Sequence, residues 1–94
     1  MTFGRKLKSL RVSGGLAQRE LAALLQMDAA YLSRIENDVP NHMPGPTTIE
    51  RMVKALGLER GAADELFALA GKIPPDVLNK MLAQPKLFER IRRA

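Results

Sequence analysis

Apolar residues along this chain recur at intervals of three and four and never in sustained alternation, so every predicted element is helical. Phe3, Leu7 and Leu10 stand at i, i+4 and i+7 and predict a first helix that ends before Gly14-Gly15. Leu21, Leu24 and Leu25, with Ala22 and Ala23, predict a short second helix over 18–25. Leu32 and Ile35 mark a third, opened by Asp28 as N-cap and closed by Asn37-Asp38 and Pro40. The stretch 38–46, DVPNHMPGP, holds three of the six prolines and is expected to be a loop. Thr47 and Glu50 have the spacing of a capping box for a fourth helix with Ile49, Met52, Val53 and Leu56 on one face and Gly57 as its stop. A fifth helix is expected over 62–70, with Leu66, Phe67 and Leu69 apolar. Pro75 opens a sixth with a stripe of Val77, Leu78, Met81 and Leu82, and Pro85 a last one with Leu87, Phe88 and Ile91. The expected fold class is all-α.

Size and charge narrow the function. Ninety-four residues suit one compact unit, with 1–72 as its core and 73–94 as a helical extension of it. The net charge of +5 favours a polyanionic partner, nucleic acid above all. Six Lys/Arg against three Asp/Glu fall in residues 1–36 and four against one in 85–94, while 37–84 is close to neutral. With no cysteine, disulfides, thiolate catalysis, Cys-based zinc sites and iron–sulfur clusters are excluded. With one histidine, a His-rich metal site is excluded as well. No apolar run approaches the ~18 residues of a membrane span and no secretory h-region opens the chain, so a cytoplasmic location is expected. Paired carboxylates, phosphate loops and nucleophile elbows are all missing from the sequence, so neither an enzyme nor a bound cofactor or metal is expected.

The helices predicted over 18–25 and 28–37 are joined by Gln26-Met27. So short a link forces a steep crossing and lets one helix of the pair be presented to a DNA major groove. The residues around it are more specific. Leu16-Ala17-Gln18-Arg19-Glu20-Leu21-Ala22, then Leu25, then Leu32-Ser33-Arg34-Ile35-Glu36-Asn37, resemble the helix-turn-helix of the Cro/lambda-repressor-like (XRE) family. Ile49, Met52, Val53, Ala55, Leu56, Gly57 and Leu58 resemble that family's fourth helix and its ending. The likeness runs over roughly residues 3–70 and implies a five-helix lambda-repressor-like DNA-binding domain, here with two extra C-terminal helices. Three departures stand out. Ala17 replaces the usual Ser or Thr cap, Gln26 replaces the usual turn glycine, and the 38–46 loop is longer than is common.

With Leu32 and Ile35 inward, Ala29, Ala30, Ser33 and Arg34 are expected on the outer side of the recognition helix as base contacts. Alanine methyls suit close approach to thymine methyls, and Arg34 is the residue able to pair bidentately with guanine O6/N7. Arg34 is otherwise a solvated helix arginine. Tyr31 has two readings, a contact to base or phosphate and a half-buried ring over the junction with helix 2. The resemblance places Gln18 and Arg19 against the DNA backbone, with Asn37 at a backbone-contacting position. Thr47 and Thr48, opening helix 4, have N–H and hydroxyl groups for the same purpose. Asp28 is assigned to capping, and Arg5, Lys6 and Lys8 to long-range attraction. His42, in the loop, either reaches the duplex or is merely solvated. The resemblance also implies a partly buried ion pair between Arg11 and Glu36, which takes Arg11 away from the DNA.

The apolar stripe Val77, Leu78, Met81, Leu82, Leu87, Phe88 and Ile91 either caps the core or forms a homodimer interface. The leading expectation is a homodimeric, sequence-specific transcriptional regulator, a repressor of the plasmid, phage or restriction-control type, bound to an inverted-repeat operator in double-stranded DNA. The alternative is an antitoxin or interaction module that binds a partner protein through helices 75–94.

Overall fold

The computed structural model of the chain describes residues 1–84, together with 86 and 90. The elements are α1 (Phe3–Ser13), α2 (Gln18–Leu24), α3 (Ala29–Glu36), α4 (Pro46–Leu56), α5 (Arg60–Leu69) and α6 (Pro75–Ala83), with no strand among the described residues. The all-α expectation holds. The core is drawn from one stripe of each of the first five helices: Phe3 and Leu7, Leu21 and Ala22, Leu32 and Ile35, Ile49 and Met52, Leu66 and Phe67, with Leu25 from the turn after α2. α5 begins at Arg60, two residues before the expected position.

α1 through α5 all end in the same way. A residue in the left-handed region follows each of them: Gly15, Gln26 (φ 54°), Asp38 (φ 56°), Gly57 and Gly71. Its N–H and that of the next residue return to carbonyls of the last turn, as where Gln26 N–H reaches Ala23 O (3.1 Å) and Met27 N–H reaches Ala22 O (2.9 Å). This is the Schellman arrangement, which satisfies carbonyls the helix leaves open. Glycine adopts it freely, whereas a side chain with a Cβ costs about 1 kcal/mol. The two exceptions, Gln26 and Asp38, lie immediately before and after α3.

The N-termini are closed less uniformly. Asp28 Oδ1 accepts from Ala30 N–H at 2.8 Å, as the sequence predicts. Ala17 has no oxygen to offer, yet Glu20 Oε1 still accepts from Ala17 N–H at 2.9 Å, so half of a capping box survives. The expected Thr47–Glu50 capping box does not form. Helix α4 starts earlier, with Gly45 as N-cap and Pro46 in the first turn. The fixed φ of proline suits that position and its missing N–H removes one orphan donor, so Thr47 and Thr48 fall inside the helix.

Two clamps fix α3 against α1. At its C-terminal end, Asp38 Oδ1 accepts from Gly4 N–H (2.8 Å) and Oδ2 accepts from Thr2 Oγ1, placing a carboxylate at the positive end of α1. The approach is so close that a Cβ on Gly4 would lie 2.5 Å from the carbonyl oxygens of both Ile35 and Glu36. The second clamp is the buried pair that the resemblance implied. Arg11 Nε donates to Glu36 Oε2 at 2.7 Å and Nη2 to Oε1 at 3.0 Å, while Nη1 donates to Leu16 O at 2.9 Å. The hydrogen bond to Glu36 holds the Arg11 guanidinium above its ordinary pKa, against the lowering effect of burial. A raised cation contributes its stability in full below the unfolded value and loses it only as pH rises through the folded one, so Arg11 keeps its charge except in strong alkali.

Helix α6 lies outside this arrangement. Val77 and Leu78 are each 38% exposed and Leu82 63%, with Met81 half-buried, so the described part of the stripe does not cap the core. The helix expected after Pro85, with Leu87, Phe88 and Ile91, lies outside the described residues.

Two outcomes follow for stability. Gln26→Gly relieves the left-handed turn and should raise the unfolding free energy by about 1 kcal/mol, read as a higher urea midpoint at unchanged slope. Glu36→Ala leaves Arg11 buried and unpaired and should cost about 3–5 kcal/mol, whereas the double change Arg11→Met, Glu36→Met should cost clearly less. Equal losses for the single and double variants would contradict the pairing.

Candidate nucleic-acid interface

Helices α2 and α3 meet across Leu25–Asp28, and this turn decides which face of α3 is free. Leu32, Ile35 and Glu36 are buried, while Ala30, Tyr31, Arg34 and Asn37 are exposed and Ser33 is half-buried. Ala29 departs from the expected outer position: it is partly buried and packs on the core. The reason lies in its spacing, since 29, 32 and 36 are i, i+3 and i+7 on one helical face. Ala30 therefore stands alone as the exposed alanine at the front of the helix.

Arg34 is exposed in the last turn of α3. Among the described residues the salt bridges join Lys6 to Glu65 (3.2 Å) and Arg11 to Glu36, so no carboxylate within that set neutralises Arg34 or Arg19. Tyr31 is 38% exposed and has an aromatic neighbour. Its ring lies 5.6 Å from that of His42, inclined by 55°, so it leans on the loop that follows α3. His42 Nδ1 is 2.8 Å from Pro40 O. A carbonyl only accepts, so Nδ1 bears the hydrogen and Nε2 is the nitrogen without that partner.

Of the residues expected at the DNA backbone, two already have work inside the chain. Gln18 Nε2 donates to Glu36 Oε1 at 3.2 Å, which makes it part of the buried cluster. Asn37 Nδ2 donates to Ser33 O at 2.9 Å and so closes the end of α3. Arg19 is exposed in the first turn of α2. Thr47 is exposed and Thr48 half-buried, both in the first turn of α4.

Three features of this surface were not read from the sequence. The clasp of Asp38 on Gly4 and Thr2 spans 34–36 residues, and the tilted contact of His42 with Tyr31 depends on the path of a proline-rich loop. The third is a bond from Arg51 Nη2 to Gln26 Oε1 at 3.3 Å, between α4 and the turn before α3. Only Gln26 had a signal in the sequence, as a non-glycine at a turn position. Among the described residues no group of three His, Asp or Glu is placed to hold a metal, and no helix is long and apolar enough to cross a membrane.

What this geometry offers is a short helix with a rigidly held inner face and an outer face that carries polar and cationic side chains. That combination suits a duplex, with backbone contacts setting register and one helix reading base edges. The comparisons agree at the level of the domain. A family model described as a helix-turn-helix domain matches residues 2–66, which takes in α1 through most of α5. No curated protein and no solved structure matches the chain. The family match covers well over half of the 94 residues, so the chain belongs to the helix-turn-helix domain family.

Proposed function

We propose that this helix-turn-helix protein is a sequence-specific transcriptional regulator of the Cro/lambda-repressor-like kind, acting as a homodimeric repressor on an inverted-repeat operator. The observation that carries the reading is the outer face of α3. Its inner face is pinned by Arg11–Glu36, and Arg34 projects from the other side with no carboxylate partner among the described residues. Arg34 makes the bidentate contact to guanine, and Ala30 lets the helix approach closely enough for it. Ser33 and Tyr31 border that contact, and Ala29 supports it from the core side. Arg19, Thr47 and Thr48 hold phosphates on either side. Gln18 and Asn37 contribute with the polar atoms that their internal bonds leave open.

A reader of one eight-residue helix recognises few base pairs, and two copies on adjacent half-sites multiply its discrimination. The exposed stripe of α6, with Val77, Leu78, Met81 and Leu82, supplies the surface for pairing two copies, continued by Leu87, Phe88 and Ile91. Repression then follows from occupying a promoter, with no sensing domain required. A partner protein on the same stripe is the competing occupant.

Two measurements test the reading. Selection of bound sequences from random duplexes should yield an inverted repeat, and Arg34→Ala should relax one guanine position per half-site by about 1–3 kcal/mol while sparing the other positions. Absence of any sequence preference in the unaltered protein would sink the proposal. In sedimentation equilibrium the protein should run at twice its chain mass. Leu78→Asp with Leu82→Asp should give a monomer of unchanged helicity and weakened operator binding. A monomer that instead captures the product of an adjacent gene through α6 would favour the interaction-module reading.

A further inference from the structure

We infer that Arg51 is a phosphate contact for the duplex read by α3, and that Gln26 is the residue that positions it. This rests on the reading of α3 as the DNA-reading helix. Gln26 holds the left-handed conformation (φ 54°) in which glycine would be unstrained. Glycine would form the same turn, so the backbone does not call for glutamine. What glutamine adds is its side-chain carbonyl, and Oε1 accepts from Arg51 Nη2 at 3.3 Å. Strained residues of this kind persist where the strained side chain has a task.

The chemistry of the pair supports that task. An acidic residue at 26 would also hold the guanidinium, but it would cancel its charge. A neutral amide orients it and leaves the charge intact. Arg51 is exposed, and no carboxylate among the described residues lies within salt-bridge distance of it. One of its five N–H donors is used by Gln26, which leaves the planar fork open to a phosphate. Gln26 lies two residues before Asp28, the N-cap of α3. The bond therefore fixes the Arg51 head beside the N-terminal end of the reading helix, where the flanking sugar–phosphate strand must pass. Lys54 borders the same shallow hollow as Arg51, with Leu24 and Ala55, and adds a second positive charge to it.

The test uses the full chain and its selected duplex, with affinity measured over a series of salt concentrations. Arg51→Ala should weaken binding about tenfold, equally on selected and scrambled duplexes, and reduce the slope of log affinity against log salt by about 1. Gln26→Gly should raise Tm by roughly 5 °C and still weaken binding, and it should cause no further loss once Arg51 is alanine. A role in the turn alone would raise Tm and leave binding untouched. Wild-type affinity and salt slope in Arg51→Ala would overturn the inference while leaving α3 as the reader. No duplex binding by the unaltered protein would overturn both.

Discussion

One carboxylate holds three helices in register. Glu36 Oε2 takes Arg11 Nε from α1, and Oε1 takes both Arg11 Nη2 and Gln18 Nε2 from α2. Glu36 itself is the last residue of α3, so α1, α2 and α3 converge on two oxygens. Apolar contact between the same helices is favourable over a range of angles and offsets, because the hydrophobic effect has no direction. A bidentate arginine–carboxylate pair fixes plane and distance at once. Its desolvation cost means that it adds little net stability, and its contribution is a single allowed orientation of α3. The Arg11 bond to Leu16 O extends that constraint to the link between α1 and α2.

Orientation alone would not keep an eight-residue helix intact, since helices of that length are unstable in isolation. Here the two ends of α3 are closed by acids with opposite duties. Asp28 caps its own first turn, while Asp38, just beyond the last turn, turns away to cap the start of α1. Asp38 reaches Gly4 only because its backbone enters the left-handed region, and Gly4 admits it only because no Cβ stands in the way. Strain at Asp38 and the absence of a side chain at Gly4 are thus one device. Together with Glu36 it leaves the outer face of α3 with two internal contacts, the Asn37 bond that closes its end and the Tyr31 ring against His42.

The periods of α1 through α5 were plain in the sequence because each of these helices buries one stripe against a common centre, and the i, i+3, i+4 spacing records that burial. The Arg11–Glu36 pair was legible through its motif, and the left-handed turn at Gln26 through a departure from that motif. Ala29 was misread because outward and inward positions on a short helix differ by a single step of 100°, and it shares the face of Leu32 and Glu36. The Thr47 cap was misread because two acceptable helix starts lay side by side, and the chain takes the one that puts Pro46 in the first turn. The bonds of Asp38 to Gly4 and of Arg51 to Gln26 join residues 34 and 25 apart. No local pattern encodes such pairs, because they exist only once the chain has folded.

Charge follows the same division between interior and surface. The excess of cations in residues 1–36 includes Arg11, whose charge is spent on Glu36, and Lys6, which meets Glu65 across α1 and α5. Surface pairs with a well-exposed partner, such as Lys6–Glu65, contribute at most about 1 kcal/mol, so that bridge screens a charge more than it secures the fold. The cations on the α2–α3 side of the molecule differ from these two. Arg19 and Arg34 are exposed, and Arg51 is held by a neutral amide. A net charge by itself cannot distinguish a cation locked in the interior from one held ready at a surface. The partner of each guanidinium does distinguish them: carboxylate for Arg11, amide for Arg51 and none among the described residues for Arg34.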